Sequence, residues 1–389
     1  MPSRRQVLAT TGSLAAAATA GCLGAGADGD PGTDDATDWP MPDFDSRGGS
    51  WAHDAVAPRS APTERFRLDL PSPTDRPVVA DGTVFQPTMG GLIALDAADG
   101  TERWRYAPSD AAHFFPSPAV HDGSVYVTGE DPGLVALDVA DGSVEWTVES
   151  DARMRAPPAP TREWRALYVG TDGGRVLRVT PDGEVEWTTD VYGAVTRLVA
   201  HEPEGVFVGT TAGEVHALYD GRGMWRRAVP GNVTALAGTE GSDVYVATFG
   251  GGTLRLAGGA HAGRPRWHAE DGPTAHRSFA LAGAGLFGAD GAGLTRQDHR
   301  TGERDWRLGD DYFSAPAGTG DTVYIGGRGE VAAFETSGGF GIGDYHLEAR
   351  RWTYDLDDAS GGHLAVADGA LFVPITGREN TESGLVALE

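Results

Sequence analysis

The chain of 389 residues has no lysine: its 31 basic residues are all arginine, against 56 acidic ones, for a net charge of −25. That balance excludes the basic stripe on which nucleic-acid binding depends. It also points to an extreme halophile, because in molar salt the Debye length falls to about 3 Å and a carboxylate surface without lysine keeps its hydration. Cysteine is nearly absent as well, with Cys22 alone in the chain, so no intrachain disulfide can form. Catalytic constellations are missing in the same way. The 11 histidines show no HExxH or other paired spacing for zinc, no GxSxG turn presents a serine, and Gly-rich stretches such as residues 249–253 lack the lysine and helix of a phosphate loop. No stretch holds a helical period, and no apolar run is long enough to span a bilayer.

What is present is a period. Trp104, Trp146, Trp187, Trp225, Trp267, Trp306 and Trp352 recur about every forty residues, each closing a unit of short apolar strands and Gly-rich turns. Residues 77–106 show it most clearly, PVVADGTVFQPTMGGLIALDAADGTERWRY, and residues 117–148 repeat the Asp-Gly turn, the Ala-Leu-Asp triplet and the second Asp-Gly turn before the tryptophan. Four short strands in about forty residues make a propeller blade, so the fold expected is all-β. An eighth unit, residues 363–389, stops after its third strand, and the missing fourth is found at the other end, in TERFRLDL (63–70), where Phe66 takes the tryptophan's place. The sequence therefore predicts an eight-bladed β-propeller of four-stranded antiparallel blades, closed by the N-terminal strand.

The N-terminus reads as an address. Arg4 and Arg5 lie in a segment similar to the twin-arginine export motif, an Ala/Thr/Leu run follows, and Thr19-Ala20-Gly21-Cys22 is similar to a lipoprotein cleavage box. The expected organisation is a signal peptide with its lipid-accepting Cys22 over residues 1–22, a Gly/Asp-rich tether over 23–37, and the propeller over 38–389. The mature protein is then expected on the extracytoplasmic face of the cell membrane, lipid-anchored and monomeric.

The opening Asp38-Trp39-Pro40-Met41, the repeated Ala-Leu-Asp and Asp-Gly-x-x-x-Trp units and the export segment together resemble the PQQ-like β-propeller repeat proteins of halophilic archaea, relatives of BamB-type assembly lipoproteins and of quinoprotein alcohol dehydrogenases. The resemblance implies fold more than activity. Quinoprotein dehydrogenases of this kind carry a vicinal disulfide, a tryptophan platform and a Ca²⁺-holding Glu/Asn/Asp set. Here the disulfide is impossible, no Ca²⁺ motif can be matched, and the tryptophans outside the repeat, Trp39, Trp51 and Trp164, mark no platform. Neither a PQQ cofactor nor a metal is expected. The recurring pairs Asp96 with Asp99 and Asp138 with Asp141 look metal-like but fall in hairpin turns.

In such a blade the loops from each outer strand to the next inner strand gather around the mouth of the channel. They bring together Arg76, Arg155, Arg197 and Arg277, with His113, His276 and His363 and the aromatics Phe115 and Phe313. These are the candidate binding residues for a peptide or anionic ligand, against the simpler reading that the arginines balance nearby aspartates. The function expected is a non-enzymatic, BamB-like interaction scaffold for envelope proteins. A quinone-dependent or other secreted oxidoreductase and a solute-binding sensor are the alternatives.

Overall fold

The structure is a computed structural model, which describes residues 38–108, 115–201, 203–308, 311–338, 340–342, 345–347, 349–377 and 382–389. Arg4, Arg5, Cys22 and His113, with the whole export segment and tether, lie outside the described residues. Within them, no helix is long and apolar enough to cross a membrane.

The first repeat shows how a unit is built. Strands Val78–Ala80, Thr83–Thr88, Gly91–Asp96 and Glu102–Tyr106 pair in that order, each antiparallel to the last. The first turn is Asp81-Gly82, with φ of 48° and 66°; two consecutive positive values match the twist of a tight hairpin, which is why Asp-Gly recurs there. Residues 119–149, 159–190, 195–228, 233–269 and 280–308 repeat this order, giving six four-stranded sheets among the described residues. The protein is a multi-bladed β-propeller of antiparallel sheets.

The last two repeats share one eight-stranded sheet. The long strand Arg350–Gly361 pairs with Arg328–Glu335 and then crosses, through Ser360 and Gly361, to Thr376 and Ile375 of Ala370–Thr376. At the far side, Glu64–Asp69 pairs antiparallel with Gly384–Leu388, with Arg67 opposite Val386 and Leu68 opposite Leu385. The first strand among the described residues therefore covers the edge of the last. Between the two repeats, residues 340–342 and 345–347 form a short hairpin.

The repeated tryptophans have a double task. Within its sheet each rests on the aromatic residue of the second strand, as Trp104 on Phe85 at 5.8 Å, Trp187 on Tyr168 at 5.8 Å and Trp352 on Tyr324 at 5.9 Å between ring centroids; Phe66 meets Phe372 at 6.3 Å in the same way. Towards the next sheet six of the seven lie against the glycine of its last turn, as Trp104 on Gly142 and Trp146 on Gly183. Several add a hydrogen bond across the gap: Trp104 Nε1 donates to the Val139 carbonyl at 2.7 Å and Trp146 Nε1 to the Pro181 carbonyl at 3.0 Å. The forty-residue period is thus the spacing of an inter-sheet wedge, each aromatic contributing area and four of the tryptophans a satisfied donor.

The paired aspartates serve the same turns. Asp96 and Asp99 accept hydrogen bonds from the backbone N–H groups of Ala98 and Thr101, and Asp138 and Asp141 from those of Ala140 and Ser143, at 2.7–2.9 Å. These are turn-capping contacts. Among the described residues no group of three or more His, Cys, Asp or Glu side chains stands where it could share a metal ion.

Candidate functional site

The segment before the first sheet, which has no repeat of its own, forms a plug against the inner strands. Residues 39–52 run across the inner strands: Trp39 exchanges backbone hydrogen bonds with Val79 at 2.8 and 3.0 Å, and the carbonyls of Pro40, Arg47, Gly49 and Ser50 accept from Val120, Gly238, Leu281 and Gly318. Trp39 is fully buried, Met41 and Trp51 nearly so. Five sheets are tied through one plug of turns and isolated bridges, and these bonds satisfy backbone groups on both sides.

Above the plug lie two chambers. The lower is a cavity of about 40 Å³, lined on one side by Met41, Pro42 and Asp43 of the plug and on the other by Asp75, Arg76, Arg197, Arg277 and His363. The upper is an open funnel of about 1000 Å³, lined by Arg155, His276, Phe313, Met89, Glu130 and Asn232 among others. Arg197, Arg277 and His363 line both and form the floor between them.

The floor is a connected charge network. Arg76 donates through Nη1 to Asp43 Oδ1 at 3.0 Å, to the Pro42 carbonyl at 2.9 Å and to Ser50 Oγ at 2.9 Å, while its guanidinium lies 5.2 Å above the Trp39 ring. Arg277 Nη1 donates to Asp75 Oδ2 at 2.7 Å, and Asp75 also accepts from the backbone N–H groups of Arg76 and Ser117. Arg197 spends Nε on the carbonyls of Thr234 and Arg277 and Nη1 on that of Thr196, at 2.6–3.1 Å. His363 Nδ1 accepts from the Ala315 N–H at 2.6 Å.

Burial and mutual fields set the charges. Burial raises the Asp43 carboxyl against the pull of Arg76 and Arg197. For Asp75 burial acts upward too, but Arg277 and Arg197 outweigh it and hold the group below its ordinary range. Arg197 is lowered to about 10 by burial and by Arg277, so it stays charged at neutral pH. His363 is pushed down to about 3, first by burial and then by the three arginines against Asp75; it is a neutral acceptor, as its bond from Ala315 requires.

Of the residues singled out in the sequence, Arg155, Arg197, Arg277, His276, His363 and Phe313 do converge on one funnel. Two do not face it. Arg76 sits beneath the floor, 2% exposed, and Phe115 is packed edge-on against Tyr106 at 6.4 Å, 1% exposed; a core partner takes its ring, so it offers no face to a ligand. Arg155 is ion-paired with Glu130 on the wall. Asp43, Asp75 and the plug escaped sequence reasoning, since nothing in residues 39–52 repeats. Trp39 and Trp51, apolar residues in a polar stretch outside the period, were the available signal.

A quinone cofactor of the kind found in related folds needs an open indole face, and the residues present do not fit one. Trp39 is covered by Arg76, Trp51 is stacked on Phe287 at 6.1 Å, and Trp164 is stacked with His121 at 4.5 Å.

Comparison with known proteins agrees with this architecture. Among solved structures the chain is similar to BamB from Moraxella catarrhalis, with a TM-score of 0.65 at 17% identity over 85% of this chain and 97% of that one. It is similar to quinohemoprotein alcohol dehydrogenase from Comamonas testosteroni, TM-score 0.68 at 13% identity over 90% and 80% of the two chains. The C-terminal WD40 domain of Sif2 matches with a TM-score of 0.67 at 9% identity, covering 85% of this chain and 99% of that one. At these identities the likeness is one of fold. A sequence comparison with curated proteins gives no match. The profile of one family matches residues 44–202 and 179–380, almost the whole propeller, and the chain, a PQQ-like β-propeller, belongs to that family, described as outer membrane protein assembly factor BamB.

Proposed function

We propose that the protein is a non-enzymatic interaction propeller of the BamB-like type, held on the outer face of the cell membrane, whose funnel mouth receives part of another envelope protein. The observation that carries this reading is the rim. Tyr192 and Phe249 are 70% and 68% exposed and Met89 is 40% exposed. Met89 lines the funnel, Tyr192 is two residues from the lining residue Ala194, and the Phe249 N–H donates to the carbonyl of lining residue Asn232. Large apolar side chains left in water around a concave mouth are what a protein-binding face presents. Apolar contact also keeps its strength in molar salt, where exposed ion pairs are screened away. Export through Arg4 and Arg5 and a lipid on Cys22 complete the proposal.

The test is crosslinking in intact envelopes at high salt, comparing the natural chain with the Met89→Ser, Tyr192→Ser, Phe249→Ser variant. Loss of the crosslinked partner with an unchanged melting temperature supports the mouth as the interaction face. Undiminished crosslinking by the variant refutes it.

A further inference from the structure

Arg197 differs from the other two guanidinium groups of the floor. Arg76 meets Asp43 and Arg277 meets Asp75, whereas every hydrogen bond of Arg197 goes to a backbone carbonyl. Among the described residues no carboxylate forms an ion pair with it. Its Nε and Nη1 are occupied, which leaves Nη2 as the donor group not bonded to the protein, on a side chain that lines both chambers. Asp45, which also lines the lower chamber, is paired with Arg47, and Glu130 on the funnel wall with Arg155. Of the three guanidinium groups on the floor, Arg197 is the one with no carboxylate of its own among the described residues.

We propose that the funnel floor is a receptor site for a single carboxylate, that of the free C-terminus of a peptide, with Arg197 as its charged contact. The space narrows downward: below the floor the 1000 Å³ funnel gives way to the 40 Å³ chamber, whose far side is lined by Met41, Pro42 and Asp43 of the plug. An acidic side chain in mid-sequence would have to bring two chain arms down and back, while a chain end descends once. The funnel, at about 1000 Å³, holds a few residues, and Phe313 and Met89 on its wall suit apolar ones. A charge-assisted hydrogen bond in a partly desolvated floor also survives the salt that erases surface pairs. The proposal rests on the mouth being the interaction face, and gives that face its chemistry.

The experiment is titration calorimetry in molar salt at pH 7 with N-acetyl-Ala-Phe-Ala-Phe as the free acid, the same peptide as its C-terminal amide, and sodium acetate. The acid should bind at least about tenfold more tightly than the amide, the loss expected for one charge-assisted hydrogen bond, and Arg197→Gln should abolish that preference. Equal binding of acid and amide, or of neither, overturns the proposal; acetate binding as tightly as the peptide acid also overturns it, in favour of a small-carboxylate site. The acid–amide comparison on the natural protein needs no variant, so misfolding of Arg197→Gln would not blunt the test. The rim variant separates the two readings: if it keeps its partner while the natural protein prefers acid to amide, the floor stands and the rim fails.

Discussion

Replacing Gly142 by alanine should destabilise the propeller far more than the same change at Gly123, although both glycines have positive φ, 72° and 82°. An alanine at Gly123 would meet nothing within 4 Å, so its cost is the left-handed backbone alone, about 1 kcal/mol. At Gly142 the new Cβ would stand 2.5 Å from Cε3 and 2.7 Å from Cδ2 of Trp104. Forcing a methyl into packed contact adds about 1–3 kcal/mol. Displacing the indole also lengthens its 2.7 Å bond to the Val139 carbonyl, worth about 1 kcal/mol net. The expected total is about 3–5 kcal/mol, read as a shift of the urea midpoint in molar salt at unchanged slope. Trp104→Ala is costly by itself, but it vacates the space, so the double variant should lose less than the two singles together by about the 1–3 kcal/mol of overlap. If Gly142→Ala and Gly123→Ala shift the midpoint equally, or if the double variant is simply additive, the inter-sheet wedge is not what spaces the tryptophans.

Three further outcomes follow from the charges. His363, held at about 3 when folded against an ordinary value of 6.5, takes up its proton first in the unfolded chain. Stability contributed by the neutral ring is therefore lost as pH falls from about 6.5 towards 3, and His363→Asn should flatten the melting profile there; an unchanged slope would place the ring in water. Arg277→Ala leaves Asp75, 5% exposed, without its cation and should cost about 3–5 kcal/mol, much of it recovered by adding Asp75→Asn; no recovery would deny the pair. Lowering salt from molar to about 0.1 M lengthens screening from about 3 to about 10 Å and should lower the melting temperature of this chain steeply, whereas a flat salt dependence removes the halophile argument.

The fold was legible wherever it repeats. The tryptophan period, the Asp-Gly turns and the Phe66 strand each state a local rule that recurs, so the sheets and the pairing of residues 64–69 with 384–388 could be read from spacing alone. Convergence of Arg155, Arg277, His276 and His363 followed from blade geometry, since each lies in the same class of loop, while Arg197, expected in that loop, stands at the start of the strand Val195–His201 that follows it. The plug was not legible, because its hydrogen bonds go to five different sheets and no periodicity records a path across a channel. The burial of Phe115 and Arg76 was hidden for a related reason. A loop position says which face a residue belongs to, while its depth depends on partners, Tyr106 for one and Asp43 and Trp39 for the other, that are remote in sequence or unmarked by any motif.

The seam between Glu64–Asp69 and Gly384–Leu388 has a consequence for synthesis. The plug and edge strand, residues 39–52 and 64–69, leave the ribosome early and have their partners spread along the chain to its last residues. The edge strand must wait unpaired until Leu388 has been made, and such distant pairing makes ring completion slow and late. A chain broken anywhere upstream of its end keeps two raw strand edges that invite aggregation and proteolysis. Pairing of Glu64–Asp69 with Gly384–Leu388 covers both of those edges, so this seam separates complete from incomplete chains.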